Sequence, residues 1–87
     1  MTVEEKQSII KRLNVIEGQV RGIKQMIETD RFCEDVLTQV SAVSRSIKSI
    51  GNELLKLHVS TCVVNDLKSG NTDVIDDVLD MFDKLNK

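Results

Sequence analysis

Cys33, His58 and Cys62 are both cysteines and the only histidine of this 87-residue sequence. Two thiolates and one imidazole form a soft ligand set. Such sets suit Cu(I) and Zn(II), but Cu(I) is content with three ligands whereas Zn(II) usually takes a fourth. No second histidine is available to supply one, which tilts the set to Cu(I). His58 and Cys62 are four residues apart, so on a helix they share a face about one turn apart, a half-site for a metal. Cys33 lies 25 residues before His58; on one continuous helix that separation is about 37 Å, and the two cannot meet within one chain. An antiparallel copy of the same helix, with its two-fold axis near Arg45 to Ile47, brings Cys33 of one copy beside His58 and Cys62 of the other. It also generates two identical sites.

Blander readings stand beside this one. Cys62 taken alone reads as core packing, and a lone histidine as a structural hydrogen-bonder. Convergence of all three by chance is the least economical reading. A redox role, with Cys33 and Cys62 bridging between copies, stays open. Cys33 falls in the first turn of a helix, where the positive end of the dipole favours an anion. That placement serves metal binding and, equally, attack on an electrophile or a persulfide donor.

The elements that position these residues are helices. Proline is absent and only four glycines interrupt the chain. Thr2 and Glu5 form a capping box. Ile9, Leu13, Ile16, Val20, Ile23 and Ile27 then make one apolar stripe at alternating spacings of four and three. Gly18 and Gly22, one turn apart on that helix, weaken it and predict the close approach of another helix. Thr29-Asp30 predicts a break with a fresh N-cap. The second stripe is Val36, Val40, Val43, Ile47, Ile50, Leu54 and Leu57, continuing past His58 to Val64 with Gly51 as the one weak point. It predicts a helix from about residue 32 to about residue 68, roughly 55 Å long. Heptad-like spacing predicts that its exposed seam packs on another copy. Gly70 suits the left-handed position that ends this helix. Thr72 is the expected cap of a short third helix with Val74, Ile75, Val78, Leu79 and Phe82 as its apolar set.

One domain spanning residues 1–87 is the expected organisation. Phe32 and Phe82 are the only aromatic residues, and so aliphatic and small a core predicts an oligomer. No stretch approaches the length of a membrane span, and Met1-Thr2-Val3-Glu4-Glu5 does not read as a secretory leader. Reduced thiols in a cytoplasmic protein follow as an expectation. The net charge is −2. Residues 1–50 hold eight Lys/Arg against seven Asp/Glu, and residues 51–87 four against seven. This is not the basic excess of a general nucleic-acid binder, so DNA binding requires the cations to gather on one face. Arg21, Lys24 and Arg31 line one stripe of the first helix and its end. No helix-turn-helix, zinc finger or RNA-binding motif is present, and no phosphate loop, serine triad or acid pair argues for an enzyme.

Arg12-Leu13-x-x-Ile16-Glu17-Gly18-Gln19-Val20-Arg21-Gly22-Ile23, followed by Met26-Ile27-Glu28, resembles the first helix of the copper-sensitive operon repressor (CsoR) family. Cys33-x-Asp35-Val36-Leu37-x-Gln39-Val40-Ser41-Ala42-Val43 resembles the start of its second helix. His58-x-x-x-Cys62 resembles its second ligand pair. The resemblance covers nearly the whole chain. It implies an all-α fold of three helices, paired as an antiparallel dimer and then as a flat homotetramer. It also implies a repressor, not an enzyme, that binds operator DNA without a standard motif and lets go on binding its inducer.

Members of that family sense Cu(I), Ni(II) or Co(II), formaldehyde, or persulfide. The copper pattern is Cys, His, Cys, and this chain carries all three as Cys33, His58 and Cys62. The nickel pattern needs further histidines, the persulfide pattern lacks the histidine, and the formaldehyde pattern lacks the second cysteine. Two positions depart from the copper pattern: Phe32 stands where a tyrosine is usual, and Asp77 aligns best with a glutamate of the third helix. By resemblance these groups flank the histidine and couple it to DNA release. Losing such a neighbour commonly costs roughly ten- to a hundredfold in metal affinity or activity. Arg12 and Arg21 match the DNA-contacting positions best, with Lys48 and Arg45 after them. Two other functions remain beside Cu(I) sensing: a persulfide sensor acting through Cys33 and Cys62, and a copper buffer or chaperone with no role at DNA.

Overall fold

A computed structural model describes residues 1–87, which form helices and no strands. Helix α1 runs Val3–Glu28, α2 Cys33–His58, α3 Val64–Lys68 and α4 Val74–Leu85. Between α2 and α3 the backbone stays helical through a π-helical turn, Val59–Val63. The second predicted helix is therefore unbroken from Cys33 to Lys68, and the chain holds three helical rods. Two units divide it, Thr2–Ile47 and Lys48–Lys87.

In the first unit, α1 begins at the capping box. The Thr2 N–H donates to Glu5 Oε1 and the Glu5 N–H to Thr2 Oγ1, both at 3.1 Å. These bonds, the backbone one foremost, hold the Glu5 carboxyl below its ordinary value of 4.5. Ile9 and Ile16 are buried from the predicted stripe, while Val20 and Ile27 stay more than half exposed.

The end of α1 corrects one expectation. Asp30 does not cap α2. It adopts the left-handed conformation, φ 56°. Its N–H donates to the Ile27 carbonyl, and the Arg31 N–H reaches back to Met26. This is a Schellman end with aspartate where glycine is usual, so the residue read as starting one helix terminates the other. The glycine pair of α1 corrects another. A Cβ on Gly22 meets nothing within 4 Å, and one on Gly18 meets only the guanidinium of Arg21 at 3.7 Å. Within one chain no second helix comes close there.

In the second unit, α4 packs against the π-helical turn. Leu85 of α4 lies where a Gly51 side chain would be, 2.5 Å from an ideal Cβ. The weak point of the predicted helix is thus a place where α4 sits on bare backbone. The wide turn also shifts which residue is buried. Val63 is 5% exposed and Val64 36%, although the stripe had pointed to Val64. One extra residue in a turn rotates everything after it by about 100° relative to an uninterrupted α-helix. The rod ends as expected: Gly70 has φ 88°, its N–H donates to Leu67, and that of Asn71 to Asp66. Thr72 is not the cap of α4. That position belongs to Asp73, which makes no side-chain capping bond; its N–H donates instead to Asn71 Oδ1.

Candidate metal centre

Cys33 is the first residue of α2. It is exposed, a free thiol, and acidic Glu34 and Asp35 share its turn. The turn is held by the Val36 N–H donating to the Phe32 carbonyl at 3.1 Å. Phe32 is 81% exposed, so its ring is displayed beside the thiol. Arg31 reaches Asp35 at 3.7 Å, but both side chains are more than half exposed, and a pair so solvated contributes little.

His58 closes α2 and stands at the entry to the π-helical turn, in ordinary α geometry with φ −61° and ψ −46°. It is half-buried and lines a groove with Gly51, Leu54, Leu55, Met81 and Leu85. Asp77, exposed in the first turn of α4, is not among those lining residues. Met81, one turn further along α4, is. The thioether beside the histidine carried no signal in the sequence, because a methionine in an apolar stripe reads as packing.

Cys62 lies inside the π-helical turn, exposed and free, which removes the reading of it as core packing within one chain. Its neighbour Thr61 was also missed. The Thr61 hydroxyl is 2.7 Å from the Leu57 carbonyl oxygen and 3.6 Å from Cys62 Sγ. The Ser60 hydroxyl donates to the same carbonyl at 3.1 Å. Thr38 and Ser46 make the same backward bond within α2, but only Thr61 also reaches a cysteine sulfur.

The structure therefore puts His58 and Cys62 on one short stretch of backbone and Cys33 at the other end of α2. Within one chain no three His, Cys, Asp or Glu side chains converge as a metal ion needs. The donors present, two accessible thiols and a half-buried imidazole, are of the soft type that suits a monovalent ion.

Of the candidate DNA contacts, Arg21, Arg45 and Lys48 are exposed and Arg12 is half-buried. Arg12 has a partner within the chain. The Arg21 guanidinium lies back along its own helix toward Gly18, at ordinary contact distance from where a Cβ would be. Arg45 borders a shallow hollow with Thr38, Val40, Ser41 and Ser44. No helix is long and apolar enough to cross a membrane.

Comparison with known proteins points to one family. Residues 5–84 match the family model described as metal-sensitive transcriptional repressor. The copper-sensing transcriptional repressor CsoR of Bacillus subtilis (strain 168) is 46% identical over 85 residues, 97% of this chain and 84% of that protein. The copper-sensing transcriptional repressor RicR of Mycobacterium tuberculosis (strain H37Rv) is 48% identical over 67 residues, 77% of this chain and 70% of that protein. Among solved structures, the copper-sensing repressor CsoR with Cu(I) from Geobacillus thermodenitrificans NG80-2 matches with a TM-score of 0.90 at 36% identity, over 100% of this chain and 92% of that one. On a match spanning nearly its whole length, with paired thiols and an imidazole set along its central rod, this chain belongs to the metal-sensitive transcriptional repressor family.

Proposed function

We propose that this protein is a Cu(I)-responsive transcriptional repressor that releases operator DNA when Cu(I) is held between copies. Cys33 of one copy and His58 with Cys62 of another form each site in an antiparallel dimer, and two dimers assemble into a flat tetramer. Copper sensing in the relatives supports the choice of ion. The observation that carries the shared site is the continuity of α2. Cys33 and His58 are the first and last residues of one 26-residue helix, about 37 Å apart at the standard rise. Exposed apolar residues along that helix support a partner: Leu37 is 62% exposed, Val40 43% and Ile47 46%.

Within each site the thiolates of Cys33 and Cys62 hold the ion and give up their protons to solvent. His58 supplies the third donor and, from its groove against Met81 and Leu85, transmits the event to α4. Asp77 and Phe32 flank the pair on the two sides. Arg12, Arg21, Lys48 and Arg45 contact the operator backbone, and that binding falls steeply with salt. A complementation experiment tests the shared site. Cys33→Ala and a His58→Ala/Cys62→Ser double variant each bind DNA but no Cu(I) tightly; mixed and re-equilibrated, they regain one site per heterodimer. Failure to regain any site in the mixture rejects the arrangement. Absence of DNA binding by the wild type at moderate salt favours a copper buffer instead.

The exposure of both free thiols supports a second reading, persulfide sensing through Cys33 and Cys62. Mass spectrometry after an organic persulfide separates the two. An inter-subunit polysulfide link with DNA release, retained in His58→Ala, selects the second.

A further inference from the structure

We propose that Thr61 is a positioning residue for Cys62, its hydroxyl turning from the Leu57 carbonyl to the Cys62 sulfur when that sulfur holds Cu(I). The inference rests on Cys62 being a Cu(I) ligand. A threonine hydroxyl has one hydrogen to donate, and Thr61 Oγ1 has two acceptors in reach, the carbonyl at 2.7 Å and the sulfur at 3.6 Å. Against a neutral thiol, a weak acceptor, the carbonyl takes the hydrogen. Once Cys62 has released its proton to solvent and bound the ion, the sulfur carries negative charge, and hydrogen bonds to charged acceptors are roughly twice as strong as neutral ones.

The exchange leaves no orphan. Ser60 donates to the same Leu57 carbonyl at 3.1 Å, so that oxygen keeps a partner when Thr61 turns away. The exchange also happens at a sensitive place. Leu57 directly precedes the histidine, and hydroxyls that bond back to a helix carbonyl bend the helix. Three residues further, the ladder has widened: the Val64 N–H bonds to the Val59 carbonyl, five residues back. Because α4 packs on this turn, loosening one of its two hydroxyl braces moves the ligand and the α4 contact together.

The test uses the full chain and competition with a chromogenic Cu(I) chelator. Thr61→Val keeps the shape and removes the donor; it weakens Cu(I) binding about ten- to a hundredfold, the usual range for a ligand's hydrogen-bond neighbour. Thr61→Ser restores binding. Ser60→Ala removes the other brace on the same carbonyl without touching the sulfur, and weakens Cu(I) binding less than Thr61→Val does. In a Cys62→Ser background, Thr61→Val has no further effect on Cu(I) affinity. Amide exchange of residues 57–64 adds a readout independent of affinity: Cu(I) alters it in the wild type and in Thr61→Ser, but much less in Thr61→Val. Native affinity in Thr61→Val while Cys62→Ser has lost it overturns the role of Thr61 alone. Equal weakening by Ser60→Ala overturns it too, because the carbonyl brace and not the sulfur contact would then matter. Native affinity in Cys62→Ser overturns the ligand assignment beneath it.

Discussion

The two ends of the central rod present the same element, sulfur, on different backbones. At the N-terminal end Cys33 stands exposed on a regular first turn. At the C-terminal end Cys62 sits in a widened turn, with two hydroxyls bracing the carbonyl of Leu57 and α4 packed alongside. A cysteine on a regular turn is a ligand offered to whatever approaches. A cysteine on a π-helical turn sits on a rarer backbone, a widened turn of the kind found often at functional sites. In the proposed dimer this difference would divide the work, with Cys33 joining the partner copy and the His58–Cys62 end acting on α4.

The largest test of this comparison is removal of the sulfurs. Cys33→Ala and Cys62→Ser each weaken Cu(I) binding by more than the roughly hundredfold limit for losing a hydrogen-bond neighbour of a ligand, read by chelator competition. Their effects on the wide turn differ: Cu(I)-independent amide exchange of residues 59–63 changes in Cys62→Ser and not in Cys33→Ala. Identical exchange in both variants would break the contrast.

Next in size are the two Schellman ends that bound the rod's neighbourhood. Gly70→Ala forces a side chain into φ 88° and costs about 1–2 kcal/mol, the usual penalty for a left-handed residue with a Cβ. Asp30→Gly relieves the same strain at φ 56° and stabilises by up to about 1 kcal/mol. Thermal or urea unfolding reads both signs. A loss on Asp30→Gly would show that the aspartate side chain contributes more than its backbone costs.

Smaller still are the helix starts. Thr2→Ala removes the capping box and costs about 1 kcal/mol. The Glu5 half of that box depends on pH. Its carboxyl is held below 4.5 by the Thr2 N–H and hydroxyl, so its contribution is fully present above the unfolded value and fades as pH falls through the lower folded value. Glu5→Gln flattens this part of an acid titration of stability. The α4 start has no such bond at Asp73, and Asp73→Ala changes stability by less than Thr2→Ala does.

Much of the architecture was legible in residue order. Period-3.6 stripes and missing prolines read out three rods. The Thr2/Glu5 box and Gly70 marked ends that the structure keeps. The chemical set was legible because the chain has only two thiols and one imidazole, and the histidine and second cysteine already fell one turn apart. What misled was local and short. Thr29-Asp30 reads as a cap because aspartate favours helix starts, yet aspartate also tolerates the left-handed conformation, and here the end of α1 claims it. Thr72 reads as a cap for the same statistical reason, and Asn71 serves the loop in its place. Gly18 and Gly22 read as a helix contact, but within one chain no second helix reaches either.

Residue types and their order alone determined that the chain is helical, that its thiols and imidazole are Cys33, Cys62 and His58, and that the first lies too far along the rod to join the others in one chain. Those conclusions need only a fixed rise per residue and the identity of the donors. The π-helical turn, the burial of Val63 in place of Val64 and the seating of Leu85 on Gly51 were decided by tertiary structure. An α-helix and a helix with one extra residue in a turn differ little in local propensity, so the choice falls to what packs against the turn, and here that is α4.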